Sequence, residues 1–103
     1  MMAISSGFFK GQVGAKIILE TEESAAVLAT ATVLKINYLL PSGTSGAWTA
    51  TLEGTTLTYT TTAITNFPEA GLYKIQAYIE CPGLKVPGEI VEMLIDTPIV
   101  AIA

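Results

Sequence analysis

The sequence has no histidine and no arginine, and it has one cysteine among its 103 residues. Without histidine, the usual nucleophile–base triads and the commonest general base are missing. Without arginine there is no planar fork for a phosphate, and five scattered lysines on a chain of net charge −4 make no basic patch. These absences argue against enzymatic function and against nucleic-acid binding. Cys81 alone cannot form an intrachain disulfide, which leans towards folding in a reducing cytoplasm. Long apolar runs are also missing. Ser24–Leu34 is too short to cross a membrane, and the uncharged run Ile36–Leu52 is broken by Pro41, Gly43 and Gly46. Met1–Gly7 has no basic start and only a short apolar stretch, so it does not read as a signal peptide.

Charge of either sign is scarce. Charged residues make up 14% of the chain, against about 25% in ordinary soluble domains. Half of the residues are hydrophobic, more apolar surface than a core of this size hides. Part of that surface is expected to meet a partner. The length suits one domain spanning residues 1–103.

The remaining chemistry-bearing residues form no site. Glu20, Glu22 and Glu23 read as a solvated turn, because no Asp-rich loop supports a Ca²⁺ site. Cys81, at a strand end before Pro82, has no base to activate it. Pro41–Gly46 lacks the lysine and the following helix of a phosphate loop. No catalytic residue, metal site or cofactor is expected.

Turn signals separate a series of alternating segments. Gln12–Glu20 reads as a strand whose run Ile17-Ile18-Leu19 suggests burial on both faces, or a bulge. Residues 3–9 offer an earlier edge strand, with Phe8 and Phe9 as core or interface anchors. Thr21–Thr32 reads as a loop with at most one helical turn. Val33–Leu40 places Leu34, Ile36, Tyr38 and Leu40 on one face. Ala47–Leu52 does the same for Trp48, Ala50 and Leu52, and Thr56–Thr62 for Leu57 and Tyr59. Tyr73, Ile75, Ala77 and Ile79 define the next strand. Cys81–Gly88 reads as a long hairpin loop, and Glu89–Asp96 as the last strand. About seven short strands at this spacing predict an all-β fold with a core over about residues 12–96, flanked by apolar arms at 1–9 and 97–103.

The stretch Glu69-Ala-Gly-Leu-Tyr73 is the most specific local pattern. An acid and a glycine ahead of a tyrosine match the corner that opens the penultimate strand of an immunoglobulin-type sandwich. Ile75 stands where such domains often carry a disulfide cysteine. The expected fold is therefore an immunoglobulin-like antiparallel β-sandwich without a disulfide, with a small barrel or jelly roll as the alternative.

Read together, Lys35-Ile-Asn-Tyr38, Leu40-Pro-Ser-Gly43, the Trp48 strand, Leu57-Thr-Tyr59 and Glu69–Glu80 carry a further likeness. This pattern of turns and core residues, over about residues 12–96, resembles the small Ig-like structural proteins of tailed bacteriophages and prophages. It is also similar to the N-terminal Ig-like domain of phage upper-baseplate proteins. Leu39-Leu40 stand before Pro41 where basic residues are frequent in that pattern.

The resemblance implies a non-enzymatic component of the virion, made in the bacterial host cytoplasm. The role expected first is capsid decoration or another repeated surface part, packing on capsid or tail proteins and on copies of itself. A baseplate or tail-fibre module, or a module binding a host-surface glycan or protein, is the alternative. No membrane partner is expected. The apolar candidates for partner contact are Phe8, Phe9, Phe67, Leu84, Ile99, Val100 and Ile102, with Phe67 and Leu84 taken as exposed loop residues. The tail Ile99–Ala103 could add a strand to a neighbouring sheet edge.

Overall fold

A computed structural model describes residues 2–103, with side chains from residue 7 onward. It is mostly β, with two sheets whose inward residues share one buried cluster. The strands are β1 (Met2–Phe9), β2 (Lys16–Glu20), β3 (Val33–Leu39), β4 (Ser45–Thr49), β5 (Thr51–Glu53), β6 (Thr56–Thr60), β7 (Gly71–Cys81) and β8 (Leu84–Asp96). One sheet has the order β1-β8-β7-β3-β4, the other β2-β6-β5. All pairings are antiparallel except β1 with β8, which is parallel. The segment expected as an arm over 1–9, or an edge strand over 3–9, thus supplies a paired strand over residues 2–9, residue 1 lying outside the described residues.

The alternation of β7 orders the core. Tyr73, Ile75, Ala77, Ile79 and Cys81 point inward and are buried, as do Met93 and Ile95 of β8. Trp48 is the hub of an aromatic cluster. It stacks on Tyr59 at 5.2 Å, packs against Tyr38 at 4.6 Å, and meets Phe67 edge-on at 5.9 Å. Phe67 in turn meets Tyr73 edge-on at 5.9 Å, a favoured geometry for ring quadrupoles. Tyr38 lies so close over Gly46 that a Cβ there would overlap its ring.

The Glu69–Tyr73 corner is clamped from three sides. The Tyr73 hydroxyl donates to the Glu69 carbonyl at 2.5 Å. The Glu69 carboxylate accepts the Ser42 N–H at 2.7 Å, holding the Pro41–Gly43 turn. Gly71 has φ +127°, and a Cβ there would lie 2.8 Å from Pro41 Cγ, so only glycine fits. Two motifs far apart in sequence are therefore two halves of one joint. Burial of Tyr73 pushes its phenol above the ordinary pKa.

Thr21–Thr32 forms the single helical turn α1 (Ala25–Leu28), capped by Ser24 Oγ, which accepts the Val27 N–H at 3.2 Å. Leu28 is its buried anchor.

Three expectations are corrected. The Ile17-Ile18-Leu19 run is not buried on both faces, because β2 alternates and leaves Ile18 57% exposed. Ala47–Leu52 is not one strand: the chain leaves the five-stranded sheet after Thr49 and joins the other at Thr51, turning at buried Ala50. Cys81–Gly88 is not a long loop, because Cys81 pairs with Leu84 across a two-residue turn, Pro82-Gly83. Proline presets φ at the first turn position, and Gly83 takes φ +75°. Pro87 is tolerated in β8 because β1 pairs only with residues 91–96, leaving that stretch as an edge beside a register shift.

Candidate interaction surfaces

The outward face of the five-stranded sheet departs most from what its position requires. A solvated face of an antiparallel sheet is normally polar. Here Leu39 of β3, Leu72 of β7, and Ile90 and Leu94 of β8 are each between 38 and 43% exposed. The register gathers them: Leu72 lies opposite Leu94, Ile90 opposite Gln76, and Leu39 opposite Lys74. A shallow depression of about 160 Å³ lies among Asn37, Leu39, Lys74, Gln76 and Ile90.

The polar groups on this face are partly satisfied from within. Gln76 Nε2 donates to the Gly88 carbonyl at 2.8 Å, and Tyr78 Oη donates to a Glu80 carboxylate oxygen at 2.8 Å. That bond to Glu80 raises the Tyr78 pKa. Lys74 lies opposite Glu92 on the same face, so two opposite charges stand in register between the Leu72–Leu94 and Gln76–Ile90 pairs.

The outward face of the three-stranded sheet is different. Thr58, with Thr51 and Thr60 nearby, lies beside an ion pair between Lys16 Nζ and a Glu53 carboxylate oxygen at 3.1 Å. Thr58 Oγ1 donates to Glu53 at 2.7 Å. That hydrogen bond first, and Lys16 second, hold the Glu53 carboxyl below its usual pKa. Ile18 is the one large exposed aliphatic side chain on the strands of this sheet.

A second apolar feature sits where β8 ends. A cleft of about 470 Å³ runs between the tail and the Ile64–Pro68 segment, with Lys10 and Gly11 on its rim. Ile102 folds against Gly11, whose Cα carries no side chain to keep it away. Phe67, Ile99 and Ile102 all line this cleft.

The anticipated contact residues thus fall into different settings. Phe67 is corrected outright: it is 0% exposed and belongs to the core, because the loop that carries it dips between the sheets. Phe8 is half-buried against Phe67, at 5.9 Å, and Phe9 is more exposed. Ile99 is fully exposed and Val100 nearly so, while Ile102 is partly covered. Leu84 is exposed at the opposite end of β8. The tail residues form no strand. Sequence reasoning missed Leu39, Leu72, Ile90 and Leu94 as a patch, because they come from three strands and only the sheet register brings them together.

Among the described residues, no three acidic or cysteine side chains converge as metal ligands, and no helix is long and apolar enough to cross a membrane. Cys81 is buried, with its thiol 3.5 Å from the Val27 carbonyl. No family model and no curated protein matches the chain.

Proposed function

We propose that this chain is a non-enzymatic assembly module, a structural subunit of a tailed-phage particle that packs on capsid or tail proteins through the outward face of its five-stranded sheet. The observation that carries the reading is the patch of Leu39, Leu72, Ile90 and Leu94 on a face that should be polar. The particle assignment rests on the resemblance of the corner and turn motifs. An immunoglobulin-like arrangement is supported by the Tyr73–Glu69 hydrogen bond and by the division of strands into 1-8-7-3-4 and 2-6-5. Capsid decoration comes first among the particle locations, with a baseplate or tail-fibre position as its variant.

The test is a binding assay of the purified chain against the isolated capsid and tail proteins of the phage or prophage that encodes it. Saturable binding to one of them is expected, and loss of that binding in the Leu72→Glu/Leu94→Glu double variant. Absence of binding to every particle protein would overturn the assignment.

A second reading has one observation behind it. The hydroxyl-rich depression of about 400 Å³ around Thr49, Thr51, Thr58 and Thr60, with half-buried Tyr59, suits a host-surface glycan better than it suits a protein. Binding on a glycan array that is lost in Thr51→Val/Thr60→Val, two exposed positions of this depression, would favour it.

A further inference from the structure

The two sheets present four edge strands, and one of them is unguarded. A sheet edge exposes unpaired backbone groups, and proteins blunt such edges with charge, bulges, proline or shortness. β1 carries a register shift between Ser5 and Phe8, with Gly7 at φ +68°. β2 points Lys16 and Glu20 outward. β5 is three residues long and ends in Glu53, which is ion-paired to Lys16. β4, Ser45-Gly-Ala-Trp-Thr49, has none of these devices. Its pairing with β3 is regular throughout, and no charged residue occurs from Ile36 to Leu52.

From this contrast we infer that β4 pairs with β4 of a second copy, antiparallel about a two-fold axis at Ala47, joining two five-stranded sheets into one. The side chains select this occupant. Ser45, Ala47 and Thr49 are exposed on the outward side, while Trp48 is buried and Gly46 lies under Tyr38. In the two-fold register Ala47 faces Ala47, and Ser45 faces Thr49. Every outward pair is small and uncharged, and Ser–Thr pairs are favourable across strands. A two-fold contact must be self-complementary, and this strand satisfies that without a like-charge pair. Because β4 borders the sheet with the apolar outward face, pairing would also place two copies of that face side by side. The inference is independent of the particle assignment, since the two copies can pair whether or not a particle protein binds them.

The test uses the full chain. Sedimentation velocity across a concentration series is expected to show a monomer–dimer equilibrium. Ala47→Lys, which sets like charges across the axis, should weaken the dimer by about tenfold or more with the thermal midpoint unchanged. Ala47→Cys should form a disulfide-linked dimer under mild oxidation. Ser45→Cys, which faces Thr49 of the other copy, should do so at least about tenfold more slowly. The unsubstituted chain, whose Cys81 is buried, is the blank. A strict monomer over the whole series would overturn the inference, as would equal cross-linking at positions 45 and 47. A chain that stays monomeric yet binds a capsid or tail protein would sink the pairing and leave the outward-face reading intact. If Ala47→Lys proves unfolded, the two cysteine variants still decide the matter.

Discussion

The two outward faces of this molecule are built from the same kind of β structure and carry opposite surfaces. On the three-stranded sheet, threonines and the Lys16–Glu53 pair meet water, with Ile18 as a single aliphatic exception. On the five-stranded sheet, four large aliphatic side chains lie within a few residues of one another in register. Scattered exposed aliphatics are ordinary in soluble proteins, whereas clustered ones mark contact sites. The difference separates what folding requires from what association requires. Both sheets need their inward residues, and neither needs Leu72 or Leu94 to be apolar.

The comparison breaks most violently at the shared core. Trp48→Ala removes the ring that joins Tyr38 of one sheet to Tyr59 of the other, and it should cost about 3–5 kcal/mol in urea denaturation, loosening both sheets together. A loss below about 1 kcal/mol would mean that the two sheets do not share this centre.

A smaller effect is expected at the corner. Tyr73→Phe keeps the ring and removes the bond to the Glu69 carbonyl, for a loss of about 1–2 kcal/mol. The pH dependence follows from its raised pKa. The contribution is fully present below the unfolded tyrosine value of about 10, and it is lost as pH rises through the higher folded value. Thermal midpoints should therefore fall in alkali for the parent chain and fall less steeply for Tyr73→Phe. Tyr78, whose pKa is raised in the same direction by its bond to Glu80, would contribute to the remaining slope.

Much of this core was legible in the sequence. The alternation of Tyr73, Ile75, Ala77 and Ile79 and that of Met93 and Ile95 survive unchanged, and the single turn of α1 follows from a short Ala-rich segment after Ser24. The failures have physical causes. Trp48, Ala50 and Leu52 keep one inward phase while the chain changes sheets, so alternation cannot reveal the crossing. Pro87 reads as a loop residue, but its missing N–H is harmless on an edge beside a register shift. Phe67 lies in a segment without periodicity, so nothing local reports its burial. Leu39, Leu72, Ile90 and Leu94 become a patch only once three strands are laid side by side, because the pairing that joins them is set by register and not by spacing along the chain.

The smallest effect belongs to the polar face. Glu53→Gln removes an exposed ion pair, and such pairs contribute little. Its depressed pKa means that the contribution exists above the unfolded carboxylate value and fades as pH falls through the lower folded one. A slight loss of thermal midpoint near neutral pH, vanishing in strong acid, is expected. A large loss at neutral pH would show that this face contributes more to folding than its exposure suggests.

The most direct measurement compares the two faces in one assay. Under the proposed particle assignment, particles made without this chain are mixed with the purified parent chain, with Leu72→Glu/Leu94→Glu, and with Ile18→Glu/Thr60→Glu. Bound protein is then measured by co-sedimentation. Both variants add the same charge at exposed positions, one pair on each outward face. The account predicts that the parent and the Ile18/Thr60 variant bind alike, and that the Leu72/Leu94 variant stays in the supernatant while remaining folded. Retained binding by the Leu72/Leu94 variant, with loss in the Ile18/Thr60 variant, would contradict it.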